Sequence, residues 1–148
     1  MDRKKILICS KIENYIESKK VMLLLQEYGY DCNLPFFEEY NLLESSKSRY
    51  SDAKNTSLLK LRKDSFDIEY NFIQSSDSIL ILNYDWNNIL GYIGYNMYMD
   101  IGFAYILGKK IFVLNDLSSN QQNIKRDFTR LGVIYLKGEL ERIRNYLF

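Results

Sequence analysis

The sequence predicts an α/β fold, a Rossmann-like three-layer sandwich with a five-stranded, mostly parallel sheet. Two aliphatic runs, Ser78-Ile-Leu-Ile-Leu-Asn83 and Lys110-Ile-Phe-Val-Leu-Asn115, bracket one helical pattern from Asn96 to Leu107. That arrangement is the β-loop-α-β unit from which parallel sheets are built. A third run, Lys5-Ile-Leu-Ile-Cys9, lacks polar alternation, as a strand buried on both faces requires. The length of 148 residues and the 47% apolar content fit a single domain, 1–148, able to bury a core without disulfide staples.

Composition narrows the function. The net charge is +1, with Lys and Arg spread along the chain. This removes the main argument for a nucleic-acid partner, because phosphate-tracking surfaces gather a basic excess on one face. The chain has no His, which excludes imidazole bases, His-ligated metals and Ser-His or Cys-His dyads. Acid-base chemistry therefore falls to carboxylates, Tyr, Lys or Cys, and neither a metal nor a cofactor is expected. Cys9 and Cys32 lack CxxC spacing and fall in predicted strands, so they read as free packing thiols in a reducing compartment. The charged start, Asp2 to Lys5, precedes an apolar run too short for a signal-peptide core or a membrane span. A cytoplasmic protein without membrane contact is expected.

In chain order, Ser10-Lys-Ile-Glu13 has the form of a capping box directly after the first strand, with Ser10 as N-cap. The helix it opens carries Tyr15, Ile16, Met22, Leu23 and Leu25 on its apolar side and ends at Gly29, a C-terminal left-handed position. Ser10 has a second use open, because free N–H groups at a helix start can hold an anion or a sugar hydroxyl. Tyr30 to Leu34 is a short second strand stopped by Pro35. Phe36 to Leu43 suggests a helical turn or two, and 44–56, rich in Ser, Lys and Asp, is either a lid over a site or a disordered excursion. Leu58 to Ser75 returns to helical spacing with Leu58, Leu61, Phe66, Tyr70 and Ile73 inward, while most of Asp64, Asp67 and Glu69 read as solvated charges. Beyond the bracketed unit, Gln121 to Arg130 is a polar helix and Gly132 to Leu136 a fifth strand. Glu139 to Leu147 is a closing amphipathic helix with Leu140, Ile143 and Leu147 inward.

Parallel sheets bind ligands beyond the carboxyl ends of their strands. Here that crevice is rimmed by Asn83, Tyr84, Asp85, Trp86, Gly91, Gly94 and Asn96. The loop from Asn83 to Tyr95 exceeds the usual strand-to-helix connection, and Gly91 and Gly94 permit a tight turn or a close ligand approach. Trp86, Tyr92 and Tyr95 offer flat faces on which a base could stack, or else they close the core. With Asn96 as N-cap, Asp100 shares a stripe with Phe103, Ala104 and Leu107. A carboxylate on a core-facing stripe is costly unless it is paired or faces a cavity. The alternative is favourable placement near the positive helix end, worth about 0.3 to 1 kcal/mol.

The Cys9-Ser10 turn into a helix, Glu69 before Asp77, the strand Ser-Asp-Ser-Ile-Leu-Ile-Leu, and Gly-Tyr-Ile-Gly94-Tyr-Asn96-Met-Tyr-Met-Asp100-Ile-Gly102-Phe-Ala104-Tyr-Ile-Leu-Gly108-Lys-Lys110 carry a resemblance. Over roughly Lys4 to Asn115 the chain resembles the nucleoside 2-deoxyribosyltransferase-like superfamily, which includes nucleoside deoxyribosyltransferases and 2'-deoxynucleoside 5'-monophosphate N-glycosidases. The resemblance implies that Asp100 is the nucleophile at the sugar C1' and that Glu69 holds or protonates the substrate. With the crevice and the first helix start read above, the residues expected to bind the substrate are Cys9, Ser10, Asn83, Asp85, Trp86, Gly91, Gly94 and Asn96. In the family these acids are Glu and Asp respectively, so their lengths are interchanged here. Leu7 or Ile8 stands where the transferases carry a first-strand Tyr. The implied function is an N-glycosidase or deoxyribosyltransferase acting on a nucleoside or nucleotide, without cofactor, in a homodimer. The alternative is a catalytically silent module on the same fold that binds or senses a nucleotide.

Overall fold

The computed structural model describes residues 2–34 and 66–148. The excursion at 44–56, the helical turns from Phe36 to Leu43, and Leu58 and Leu61 lie outside the described residues. Among those described, the elements are β1 (Lys5–Cys9), α1 (Tyr15–Glu27), β2 (Asp31–Asn33), α2 (66–75), β3 (Ser78–Ile81), α3 (Tyr95–Ile106), β4 (Lys110–Val113), α4 (Gln122–Arg130) and β5 (Ile134–Tyr135). Short 3-10 turns occupy Ile12–Asn14, Ser119–Gln121 and Leu140–Asn145.

The strands form one sheet in the order β2-β1-β3-β4-β5, and every pairing is parallel. Cys9 pairs with Ile81, and Ile81 with Val113, so three central strands end level with one another. From β1 the chain passes to β2 on one side and then crosses back to β3 on the other. The connections therefore diverge between β1 and β3, and the carboxyl edge at such a switch point is where parallel α/β sheets bind ligands.

Alternation along the strands feeds two cores. Leu7, Cys9, Ile79, Ile81, Ile111 and Val113 face Ile73 of α2, Met97, Ile101 and Ala104 of α3, and Phe128 of α4. Ile6, Ile8, Leu80 and Phe112 face Leu25 of α1 together with Leu140, Ile143 and Leu147. Strands apolar on both faces are what a helix layer on each side demands. Each fully buried aliphatic side chain contributes about 1.5–3 kcal/mol of burial.

Several local expectations are corrected. Ser10 does not cap a helix: a 3-10 turn intervenes, Lys11 precedes it without a side-chain cap bond, and α1 begins only at Tyr15. The Ser10 hydroxyl instead meets Ser18 Oγ at 2.6 Å. Gly94, in extended conformation, is the N-cap of α3, and Asn96 is an exposed first-turn residue. Ile16 and Leu23 are 50% and 53% exposed, so α1 buries only a narrow stripe around Tyr15, Ser18 and Leu25. Tyr70 is exposed, its ring meeting Phe103 edge-on at 5.6 Å. The closing segment is a 3-10 helix, yet it buries Leu140 and Ile143 as the spacing requires. No described helix is long and apolar enough to cross a membrane.

Candidate active site

Three functional groups converge where β1 ends. Cys9 is the last residue of β1, Glu69 lies on α2 and Asp100 sits past the first turn of α3. Cys9 Sγ and one carboxylate oxygen from each acid lie within 4.8 Å of one another. All three are buried, with Cys9 at 0%, Asp100 at 3% and Glu69 at 4% exposure. The stripe Met97, Asp100, Ile101, Ala104 is the buried side of α3, so the helix that packs on β3 and β4 carries the carboxylate inward with it.

Electrostatics follows from that burial. Removal from water raises Asp100 from its ordinary 3.8 to about 7, against hydrogen bonds from Glu69 and Cys9 that pull it down. Two carboxyl groups this close cannot both ionise cheaply, an arrangement that favours holding one proton between them. Burial, followed by the charges of Asp100 and Glu69, pushes the Cys9 thiol well above its usual range. Cys9 therefore stays a thiol and donates to Asp100. It is a hydrogen-bond donor here, not a nucleophile. The same sulfur and two oxygens could hold a divalent ion such as zinc, which would strip the thiol proton.

Ser10, 9% exposed, adjoins this cluster. Ser18 Oγ donates to the Asn14 carbonyl at 2.8 Å, so in the Ser10–Ser18 contact the Ser10 hydroxyl is the donor. Its lone pairs remain for a ligand's hydroxyl.

The loop after β3 is held by its own polar groups. Asn83, fully buried, donates to the carbonyls of Gly91 and Asn115 and accepts from Asn115 N at 2.9 Å. All its hydrogen-bonding positions for the chain are thereby engaged, which makes it an architectural tie. Asp85 Oδ1 accepts from Gly91 N at 2.9 Å. Gly91 has φ +63, and a Cβ there would stand 2.2 Å from the Asp116 carbonyl oxygen. Trp86 and Ile89 exchange backbone hydrogen bonds across Asn87 and Asn88, both with positive φ, as a two-residue hairpin needs.

Gln121 completes the frame. Its Oε1 accepts from Ile93 N, and its Nε2 donates to the Gly91 carbonyl at 2.9 Å. Sequence reasoning passed over Gln121 because a Gln in a polar stretch looks like any surface amide. Asn87-Asn88 was legible as a turn signal. Trp86 is 44% exposed and lies 4.8 Å, centroid to centroid, from the Tyr92 ring. Lys11 was also missed: its ammonium stands 3.4 Å from the Trp86 ring centroid.

Of the residues expected at the site, the structure brings Cys9, Glu69 and Asp100 into contact range, with Ser10 adjoining Cys9 in the chain. Asn83, Asp85 and Gly91 shape the loop that presents Trp86. Gly94 and Asn96 stand at the start of α3.

No protein-family model matches the chain, and no curated protein matches it in sequence. Among solved structures, the fold is similar to that of the CMP N-glycosidase BcmB of Clostridium botulinum, with a TM-score of 0.55 at 18% identity. The likeness covers 97% of this chain and 100% of that one. At this identity it is a likeness of fold alone.

Proposed function

We propose that the protein is an N-glycosidase-type enzyme that acts on a nucleoside or a nucleoside 5'-monophosphate, with Asp100 as nucleophile and Glu69 as acid-base partner. The observation that carries this reading is the pair of buried carboxyl groups, joined by the Cys9 thiol within 4.8 Å, at the carboxyl edge where the sheet connections diverge. The fold shared with a CMP N-glycosidase supports it.

The chemistry needs one ionised and one protonated carboxyl, the state that a shared proton supplies. An Asp100 oxygen attacks C1' as the C1'–N bond breaks, and the departing base takes the Glu69 proton. Water then attacks C1' of the Asp100 ester, its proton passing to the Glu69 carboxylate, and the sugar leaves with Asp100 restored. A second base in place of water gives transfer. Positioning decides the rate, since a displacement of about 1 Å can cost on the order of a hundredfold. The Cys9 hydrogen bond holds the short Asp100 side chain in place. The amides that open the following 3-10 turn would receive a 5'-phosphate, and the Ser10 hydroxyl would do so only by turning its proton away from Ser18.

The 3% exposure of Asp100 supports a second reading, a closed site that binds a nucleotide without turning it over. Chromatography of bases released from a panel of nucleosides and 5'-monophosphates separates the two. Release that disappears in Asp100→Ala is the expected result. Ligand-induced thermal stabilisation without release, unchanged in Asp100→Ala, would establish the silent module instead.

A further inference from the structure

At the carboxyl edge, beside the buried acids, stands a cluster that the mechanism above does not use. The Lys11 ammonium lies 3.4 Å from the Trp86 ring centroid and 5.3 Å from that of Tyr92. The two rings are 4.8 Å apart at 43°. Lys11 follows Cys9 and Ser10 in the chain, Trp86 follows the strand whose Ile81 pairs with Cys9, and Ile93, next to Tyr92, packs in the same core as Cys9 and Met97. The cluster therefore stands at the carboxyl edge of β1 and β3, where such sheets bind ligands.

Three features separate this cluster from an incidental surface contact. Trp86 is 44% exposed although the loop bearing it is tied down at both ends. The ties are the Trp86–Ile89 pair, the Asp85–Gly91 bond and the Asn83 and Gln121 bridges. A large aromatic ring held in place by such ties, and still 44% exposed, is a preformed stacking surface. The group on that surface is the chain's own cation, Lys11.

We propose that Trp86 and Tyr92 are the base platform of the crevice and that Lys11 is its built-in cap, displaced by an aromatic base and then available to an anionic group on the same ligand. No bond is made or broken in this exchange. An aromatic ring replaces an ammonium on the indole face, and the ammonium gains an anion in place of the quadrupole attraction it loses. A ligand bearing both a ring and an anion compensates the exchange, whereas a neutral nucleoside leaves the ammonium unpaired. The class selected is thus a nucleoside 5'-monophosphate over its parent nucleoside. The inference rests on the reading that the crevice takes a nucleotide, and it holds with or without turnover.

Trp86 is the sole tryptophan of the chain, so its fluorescence reports the platform alone. The full chain, Lys11→Met and Lys11→Arg are titrated with the four common nucleoside 5'-monophosphates, their nucleosides and inorganic phosphate, with base release followed in parallel. In the wild type, one monophosphate should alter Trp86 fluorescence saturably and bind about tenfold more tightly than its nucleoside. Lys11→Met, which keeps the methylenes but not the charge, should bring that preference to about one by weakening the monophosphate and strengthening the nucleoside. Lys11→Arg should preserve the preference. An undiminished preference in Lys11→Met overturns the proposal, as does a Trp86 signal that responds to phosphate alone. Base release without any Trp86 response overturns the platform while leaving the enzymatic reading intact. The absence of both release and response removes that reading as well.

Discussion

Asp100 on α3 and Glu69 on α2 meet through their carboxyl groups at the end of β1, although each belongs to a different helix and neither is more than 4% exposed. Burial raises the Asp100 carboxyl toward neutrality, and the Cys9 thiol donates to it. The pair's consequences for pH, stability and reactivity are open to measurement.

Stability should fall as pH rises toward neutrality. The folded Asp100 titrates near 7 and the unfolded one near 3.8, so between these values the native state holds a proton that the unfolded chain has lost. The contribution is complete below about pH 4 and is lost as pH climbs through 7. Asp100→Asn keeps the shape without the charge. It should flatten the slope and stabilise the protein at about pH 8 by on the order of 1–3 kcal/mol, read from urea midpoints. A slope surviving in Asp100→Asn would place the titration on another group.

Base release, on the proposed mechanism, should climb on an acid limb near pH 7 as Asp100 ionises. Glu69→Gln should lower the rate by about 10²–10⁴, since the departing base loses its acid. A rate unaffected by Glu69→Gln would assign the protonation to another donor.

Cys9→Ala deletes the donor that helps keep Asp100 ionised, so the acid limb should move to higher pH, whereas Cys9→Ser, which retains a donor, should move it less. A limb that stays in place in both variants would show that the thiol merely fills space. Chelator should leave base release unchanged. Added zinc should inhibit through Cys9, Glu69 and Asp100, and that inhibition should be relieved in Cys9→Ala. Loss of activity on chelation would instead make the cluster a working metal centre.

Gly91→Ala tests the loop frame. The new Cβ would meet the Asp116 carbonyl oxygen at 2.2 Å, and φ +63 disfavours any side chain. The expected destabilisation is about 2–4 kcal/mol, seen as a lower thermal midpoint together with altered Trp86 fluorescence. An unchanged midpoint would mean that the loop relaxes freely and presents no fixed platform.

Local patterns account for the scaffold. Lys5-Ile-Leu-Ile-Cys9, the run from Ser78 and the run from Lys110 are apolar at every buried strand position except Ser78, and Gly29 carries the positive φ expected of a helix end. Such patterns depend on neighbours in the chain, so the strands, their parallel sense and the helix between β3 and β4 could be read without coordinates.

Side-chain partners set by distant segments were not legible in the same way. Spacing made Glu69 resemble a solvated helix charge, and only the packing of α2 against the sheet brings it within reach of Asp100 and Cys9. The start of the first helix looked like a capping box, yet Ser10 turns to Ser18 because a 3-10 turn displaces α1. Asn83 looked like a ligand reader until the chain returned at Asn115 to occupy it, and Gln121 and Lys11 gave no local sign of the groups they meet across the fold. Hydrophobic period is a property of consecutive residues. A shared proton, a tied loop and a capped ring are properties of groups far apart in sequence, whose energies exist only once folding has excluded the water between them.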